Sequence, residues 1–209
     1  MPNSYVTSAA TKKQIEETRV RRIALVIAAV ALGGCFGASV QAEDKLPGLA
    51  PFITDSAGCF TQEGAKEENG KWLLPDGTPT FHICKKDNTL VVDWSTYNGY
   101  RRYHSECHVC HGPDGMGSSY GPALTETLKT MSYADFISIV ANGRKNVGTA
   151  SANVMPALGT NPNVACYMDD LYVYLRARAN DAWGRARPSK KEEKPAAYSA
   201  AESSCMGKQ

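Results

Sequence analysis

The 209-residue sequence has no strong excess of either charge and no hydrophobic run long enough to span a membrane. Its 23 basic and 21 acidic residues give a formal net charge of +2, which offers no basis for binding nucleic acid. The N-terminal apolar run, Ile23–Leu32, is about half of the roughly 20 residues that a membrane-spanning helix needs. Apolar residues at 43% and charged residues at 21% are ordinary for a globular chain, so the composition also excludes wholesale disorder.

The first 42 residues have the pattern of a secretory leader. A basic stretch, Arg19–Arg22, precedes the apolar run, and Val40–Ala42 supplies small residues at a cleavage position. The sequence therefore predicts an exported, periplasmic protein that is cleaved after Ala42. Leu32–Cys35 resembles a lipobox, so lipid attachment at Cys35, with tethering to a membrane, is the alternative. Removal of the leader changes the net charge from +2 to −1.

The mature chain changes character at about residue 93. Residues 43–92 are rich in glycine, proline, aspartate and asparagine and show no helical periodicity. Within them, Trp72–Leu74 and Thr80–Ile83 flank a Pro-Asp-Gly turn, so this N-terminal extension is expected to contain a short β-hairpin. At the other end, the charged stretch 188–209 is expected to be a solvated, flexible tail.

Residues 93–187 are expected to form a mainly α-helical domain. The first predicted helix begins near Ser95, which is a possible N-cap. The second begins at the capping residue Ser132 and ends at Gly143. A third is predicted over Val164–Ala182, where aromatic and aliphatic residues recur on one face.

The pentapeptide Cys107–His111 has the sequence C-x-x-C-H, which is the attachment motif for c-type haem. Two thiols at this spacing can add to the two vinyl groups of one porphyrin, and the histidine that follows faces the iron. A thioredoxin-type pair lacks the expected βαβ context here, and half a zinc site lacks the remaining ligands. The motif therefore predicts one haem c, bound covalently to Cys107 and Cys110, with His111 as an iron ligand.

Met155 is the methionine best placed to be the second iron ligand. It lies in a stretch without helical pattern, next to a proline and 44 residues after His111, so the chain can reach the opposite face of the haem. Met116 follows His111 too closely, and Met131 and Met168 lie next to or within predicted helices. Ligation by histidine and methionine raises the reduction potential towards that of electron carriers. Three histidines remain as rival ligands: His82, His104 and His108.

Several positions around this motif resemble the class I cytochromes c. Gly99 and Tyr103 precede Cys107 at the spacing found in the first helix of that family, and Gly121–Leu124 is similar to its proline loop. The resemblance implies a mainly α class I cytochrome c fold, with three or four helices around one haem. It also implies that the last helix crosses the first at Gly99 and Tyr103, where a glycine permits close approach.

The same resemblance implies roles for residues around the haem. The backbone carbonyl of Pro122 would accept a hydrogen bond from the His111 imidazole and so orient this ligand. Tyr103 and Leu124 would pack against the haem.

Five runs of residues carry a closer resemblance: Asp93–Trp94, Tyr100–His104, Gly143–Val147, Asn153–Pro156 and Asp169–Ala179. They are similar to the methanol-metabolism-related c-type cytochromes, which include cytochrome c-L-like acceptors of quinoprotein methanol dehydrogenases. The resemblance implies a quinoprotein (PQQ) alcohol or methanol dehydrogenase as electron donor and a terminal oxidase or second cytochrome as acceptor.

Two other functions are alternatives to this one. A general periplasmic shuttle to a terminal oxidase would need no specific dehydrogenase. A haem peroxidase or gas sensor would need an open iron position, which ligation by Met155 would close. Because no proton-transfer site or substrate pocket is evident, the sequence predicts an electron carrier rather than an enzyme.

Four further cysteines remain in the exported chain, and they allow three pairings: Cys59, Cys84, Cys166 and Cys205. The favoured prediction pairs Cys59 with Cys84, which would staple the strand region, and Cys166 with Cys205, which would hold the tail. The alternative leaves Cys205 free and Cys166 packed in the core.

Overall fold

The structure is a computed structural model that describes residues 50–147 and 152–207. The predicted leader, its cleavage after Ala42 and the alternative lipid site at Cys35 lie outside these residues. Within the described part of the chain, no helix is both long enough and apolar enough to cross a membrane.

Strands dominate the N-terminal part of the described chain, and helices dominate the part that follows. The strands are β1 (Phe52–Thr54), β2 (Cys59–Gln62), β3 (Lys66–Glu68), β4 (Lys71–Leu73), β5 (Pro79–Thr80), β6 (Ile83–Lys86), β7 (Thr89–Val92), β8 (Arg144–Val147), β9 (Ala152–Met155) and β10 (Lys190–Lys191). The helices are α1 (Trp94–Glu106), α2 (His108–His111), α3 (Leu124–Thr127), α4 (Tyr133–Asn142), α5 (Pro162–Ala165), α6 (Met168–Ala179) and α7 (Ala196–Cys205).

The N-terminal strands form two small sheets. One has the order β1-β2-β6-β7-β10, with β10 parallel to β7 and the other neighbours antiparallel, and the second has the order β3-β4-β5. Phe52, Phe60 and Phe81 pack their rings together at centroid distances of 5.5–5.8 Å. Phe81 belongs to the same hydrophobic core as the buried helix residues, and Phe52 and Phe60 pack against it, so this cluster joins the β region to the helices.

The short β-hairpin expected in this region is only one part of it. Trp72 of β4 does pair with Thr80 of β5 across the predicted turn. The second predicted strand, however, is divided, because Ile83 belongs to β6 and pairs with Phe60 of β2. The expectation of a mainly α chain with a single hairpin is therefore corrected to a helical domain with a substantial β region. Strands of two to four residues are too short for alternation to reveal them.

Helix α1 is capped by Asp93, not by Ser95. The Asp93 carboxylate accepts a hydrogen bond from the backbone N–H of Thr96 at 2.9 Å, and its other oxygen accepts one from the backbone N–H of His82 at 2.9 Å. Burial raises the pKa of this carboxyl group. Asp93 thus joins the β region to the start of the helix that leads into the haem motif. Ser95 lies buried in the first turn of this helix.

The second predicted helix is present, and the third is divided in two. Helix α4 begins after Ser132, whose hydroxyl accepts a hydrogen bond from the Asp135 N–H at 3.1 Å, and ends at Gly143. The predicted helix Val164–Ala182 is replaced by α5 and α6. The break lies at Tyr167, whose backbone leaves the helical region and whose hydroxyl donates to Glu202 at 2.8 Å.

Helices α1 and α6 cross at Gly99, as the family resemblance implies. Near the crossing, the rings of Tyr103 and Tyr174 lie 5.4 Å apart. Helix α6 is buried from Asp170 to Ala179, including two arginines. Arg176 donates to the Lys129 carbonyl at 3.0 Å and Arg178 to the Trp183 carbonyl at 2.6 Å, so both charged groups have backbone partners inside the protein.

The C-terminal residues, for which the sequence predicts a flexible tail, instead form β10 and helix α7. The ring of Tyr198 in α7 is buried, and its hydroxyl donates a hydrogen bond to Asp170 of α6. A disulfide also ties the end of α7 to the segment between α5 and α6. The two disulfides are those that the sequence favours: Cys59–Cys84 and Cys166–Cys205.

Candidate haem site

The C-x-x-C-H motif begins where α1 ends and continues through the short helix α2. Cys107 closes α1 by donating its backbone N–H to the Tyr103 carbonyl at 2.9 Å. Cys110 and His111 are the last residues of α2. The Cys107 side chain is half-buried, and its burial raises the pKa of the free thiol to about 12, whereas Cys110 is exposed. Both cysteines lie outside the two disulfides.

The imidazole of His111 is oriented by the loop that contains Pro122. Its Nδ1 lies 3.1 Å from the Pro122 carbonyl oxygen, which can accept a hydrogen bond from Nδ1–H. With the proton on Nδ1, the lone pair of Nε2 is available for a metal. Gly121 makes this contact possible, because a Cβ at this position would lie 2.9 Å from Nδ1.

A cavity of about 480 Å³ lies beside His111 and Cys110. Its wall is largely apolar and includes Leu124, Met131, Ile139, Val154 and Met155. Arg144 is the charged residue on this wall. A concave, mainly apolar cavity with few polar anchors suits a large, flat and hydrophobic cofactor.

Met155 is the last residue of strand β9, within the stretch for which the sequence shows no helical pattern. The β8–β9 hairpin follows α4 directly and pairs Met155 with Arg144. Gly143 permits this close return, since its φ is +74° and a Cβ there would lie 2.6 Å from the Met155 carbonyl oxygen. The hairpin thus holds the Met155 side chain on the wall of the cavity.

Met131, which the sequence does not favour as a ligand, also lines the cavity. It lies between α3 and α4, and its backbone carbonyl is 3.5 Å from the Tyr172 hydroxyl of α6. Met116 and Met168 are not on this wall. The sulfur of Met116 instead accepts a hydrogen bond from the Thr125 hydroxyl at 3.9 Å. The cavity therefore has two thioethers that could face a metal.

Leu124 lines the cavity as expected, but Tyr103 does not. The Tyr103 ring is fully buried, and its hydroxyl donates to the Gly112 carbonyl at 2.6 Å. Gly112 directly follows His111, so Tyr103 supports the backbone behind the motif. Its place is therefore between α1 and α6, not on the cavity wall.

All four histidines lie in the described part of the chain, and His111 is the one that lines the cavity. His82 belongs to the β region and forms an ion pair with Asp55. The Nδ1 of His104 is 2.9 Å from the Tyr100 carbonyl, and its ring lies 5.3 Å from that of His108. The three rival histidines are therefore placed away from the cavity wall.

Three exposed apolar side chains lie around the motif, and none of them is among the predicted site residues. Val109, between the two motif cysteines, is 79% exposed, and Tyr120 and Val154 on the cavity wall are 76% and 61% exposed. Two of these residues could have been found from the sequence. Val109 lies inside the C-x-x-C-H motif, and Tyr120 directly precedes the Gly-Pro loop.

The residues around the cavity fit a covalently attached haem c. Two thiols stand at the attachment spacing, and an imidazole oriented through Nδ1 faces the cavity. The thioether side chains of Met131 and Met155 line the same cavity and could bind the metal held by this imidazole.

Comparisons with known proteins agree with this chemistry. The family described as "Cytochrome C oxidase, cbb3-type, subunit III" matches residues 95–175. Cytochrome c-553I of Paracoccus denitrificans is 52% identical over 139 residues, which are 66% of this chain and 60% of that protein. Cytochrome c-555 of Methylococcus capsulatus is 39% identical over 90 residues, 43% of this chain and 67% of that protein.

A solved structure is also similar over most of the chain. The c-type cytochrome XoxG from Methylobacterium extorquens AM1 has a TM-score of 0.62 and 52% sequence identity. The match covers 76% of this chain and 94% of that one. This chain thus spans nearly all of that structure, but only about 60% of the length of cytochrome c-553I.

Proposed function

Since the chain belongs to the c-type cytochromes, we propose that it accepts electrons from a periplasmic quinoprotein (PQQ) methanol or alcohol dehydrogenase. Proteins of this family carry covalently bound haem c and are electron carriers rather than enzymes. The main support for the donor is the 52% identity with XoxG over nearly its whole length. The runs Tyr100–His104 and Asp169–Ala179, which resemble methanol-metabolism cytochromes, support the same donor.

The residues of the motif and of the cavity wall have defined roles in this proposal. Cys107 and Cys110 would hold the haem through thioether bonds, and His111 and Met155 would bind its iron. The Pro122 carbonyl holds Nδ1 of His111, which keeps the imidazole in one orientation. Bound haem c would supply an iron that gains and loses one electron. With His111 and Met155 both bound to the iron, no position at the metal would remain for a substrate.

The surface beside the cavity suits a brief encounter with another protein. Val109, Tyr120 and Val154 present exposed apolar side chains there, and Arg144 is the charged residue on the cavity wall. Electron-transfer complexes bury little area and separate quickly. Contact between apolar rims would bring two redox centres close without a tight complex, and its rate would depend only weakly on salt.

Stopped-flow mixing tests the proposal directly. The oxidised cytochrome is mixed with the quinoprotein dehydrogenase of the same host and methanol, and haem reduction is followed by absorbance. We expect fast reduction that saturates with dehydrogenase concentration. An unrelated class I cytochrome c serves as the control. Equal, slow reduction of both proteins would rule out a specific acceptor and leave a general carrier.

Electron delivery to a terminal oxidase is a second candidate, and the family match over residues 95–175 favours it. Oxygen uptake by host membranes, with the reduced cytochrome as sole donor, measures this activity. A haem peroxidase or gas sensor would need an open iron position. Carbon monoxide binding to the ferrous protein distinguishes that case, because an iron with two side-chain ligands binds the gas poorly.

A further inference from the structure

Three chemically reactive side chains meet in the N-terminal β region, outside the haem cavity. Cys59 of β2 and Cys84 of β6 are direct cross-strand partners and form a disulfide. Nδ1 of His82 lies 3.8 Å from the Cys84 sulfur. The nitrogen and the two sulfur atoms all lie within 4.8 Å of one another. An imidazole this close can give a proton to a sulfur or take one from it.

The far side of the His82 ring is held by Asp55. Nε2 lies 2.8 Å from Oδ2 of Asp55, while Oδ1 accepts hydrogen bonds from the backbone N–H groups of Ala57 and Cys59, each at 2.9 Å. The Cys59 N–H and the imidazole hold the pKa of the Asp55 carboxyl below its ordinary value. Because Nε2 faces this carboxylate, Nδ1 is the ring nitrogen that faces the Cys84 sulfur.

A second aromatic ring covers the flat face of the His82 imidazole. Trp72 of β4 stacks on His82 with the ring centroids 3.7 Å apart. Asp55, His82 and Cys84 therefore form a line of carboxylate, imidazole and sulfur, the arrangement that activates thiols in other proteins.

The disulfide lies directly beneath a surface turn. Cys59 and Cys84 are only 1% and 5% exposed, but Ser56, Ala57 and Gly58, which precede Cys59, are all exposed. The bonds that close this turn are local: Gly58 donates to the Asp55 carbonyl, and the Asp55 N–H donates to the Cys59 carbonyl. The Cys59 sulfur lies 3.9 Å from the Ala57 carbonyl oxygen of this turn, so the turn is the exposed segment next to the disulfide.

From this arrangement we propose that Cys59–Cys84 is a second redox site, which undergoes exchange with a dithiol while His82 supplies the proton. A thiolate of the dithiol attacks the Cys59 sulfur and the bond between Cys59 and Cys84 breaks. The leaving Cys84 sulfur takes the proton from Nδ1 of His82, because this sulfur is the one beside the imidazole. Asp55 is the positioning residue for His82.

The second thiolate of the dithiol then attacks the other dithiol sulfur, which is bonded to Cys59 in the mixed disulfide. This releases Cys59, which is protonated from solvent. The protein disulfide has gained two electrons and two protons, and the dithiol has become a disulfide. The two protons lost by the dithiol balance those gained by Cys84, through His82, and by Cys59.

The other disulfide provides a stringent control within the same molecule. Cys205 is exposed and Cys166 half-buried, so access alone would favour reduction of this disulfide over the buried Cys59–Cys84. In the described residues, no ring nitrogen lies within hydrogen-bond distance of the sulfurs of Cys166 and Cys205. Cys107 and Cys110 are held in thioether bonds in the holoprotein. The two disulfides are therefore the sources of new thiols on reduction.

Timed reduction of the native holoprotein tests the proposal. The protein is incubated with dithiothreitol, samples are alkylated at intervals, and peptide mapping gives a rate for each disulfide. We expect Cys59–Cys84 to open about tenfold faster than Cys166–Cys205. We also expect His82→Gln, which keeps a donor towards Asp55 but cannot release a proton, to slow it about tenfold. Equal rates for the two disulfides, as reduction through global unfolding would give, would overturn the proposal.

Asp55→Asn separates proton donation from simple structural support. Asparagine still accepts the hydrogen bonds from Ala57 and Cys59 but removes the negative charge beside Nε2 of His82. If His82 acts as the proton donor, both variants slow the reduction of Cys59–Cys84. If Asp55 and His82 only hold the turn closed, both variants loosen it and speed the reduction, which would contradict the proposal. The haem spectrum of each variant confirms that the fold is kept.

Discussion

Gly99 of α1 lies against the backbone of Asp170 in α6. A Cβ at position 99 would be 1.9 Å from the Asp170 carbonyl oxygen and 2.8 Å from the Cβ of Tyr174. The two helix backbones are therefore in direct contact. Because α1 leads into Cys107, this contact sets the position of the haem motif relative to the buried helix α6.

We expect Gly99→Ala to destabilise the protein by about 3 kcal/mol or more, since a backbone oxygen cannot move aside as a flexible side chain can. Denaturant unfolding of the holoprotein measures the change. Gly184→Ala is the matched control, because a Cβ at position 184 meets nothing within 4 Å, and it should alter stability by less than about 0.5 kcal/mol. Equal stability of the two variants would show that the helices can separate at little cost.

The two thioethers of the cavity allow a direct test of the axial ligand. Met155→Ala should abolish the weak far-red sulfur-to-iron absorption band of the oxidised protein and lower its reduction potential. Met131→Ala, which removes the other methionine from the same wall, should leave the band in place. The opposite pattern would assign the ligand to Met131. Absorbance and redox titration of the two variants measure both effects.

The haem motif was predictable because its signals are local. Cys107–His111 is a contiguous pattern, and Ser132 caps α4 through a hydrogen bond to a residue three positions along the chain. The start of α1 shows the limit of such signals. Asp93 and Ser95 are both good capping residues, and Asp93 is the cap because its carboxylate also binds the backbone of His82 in a different element.

The features that the sequence did not reveal depend on distant contacts. Helix α7 replaces the predicted tail because Tyr198 finds buried partners in Asp170 and Asn98, 28 and 100 residues away. Met131 lines the cavity between two helices that both pack on α6, and its carbonyl lies near Tyr172, 41 residues away. A single sequence gives propensities and patterns, but such pairings between separate elements leave no local trace in it.

The apolar rim beside the cavity can be tested by adding charge. Tyr120→Lys and Val154→Lys should slow reduction by the dehydrogenase several-fold without changing the haem spectrum, because a lysine at the contact must be desolvated. Ile53→Lys and Leu90→Lys are the matched controls, since both residues are 37% exposed on the β region, outside the cavity wall. Equal rates for all four variants would place the docking surface elsewhere.

Asp170 should make the stability of the protein depend on pH. Burial raises the pKa of its carboxyl group from 3.8 to about 6, although Tyr198 and Asn98 bind the ionised form and Lys71 favours it. Between about pH 4 and pH 6, the unfolded carboxyl group releases its proton while the folded one keeps it. The free energy of unfolding therefore falls as the pH rises through this range, by about 3 kcal/mol in total.

Asp170→Asn removes this titration but keeps a polar side chain beside Tyr198 and Asn98. The difference in the free energy of unfolding between the native protein and the variant should shift in favour of the variant from pH 4 to pH 6.5. Comparing the two proteins also cancels the effect of Asp93 and Glu192, whose pKa values burial raises as well. Denaturant unfolding at a series of pH values measures the difference. A constant difference would mean that Asp170 is ionised throughout, with the hydrogen bonds of Tyr198 and Asn98 outweighing its burial.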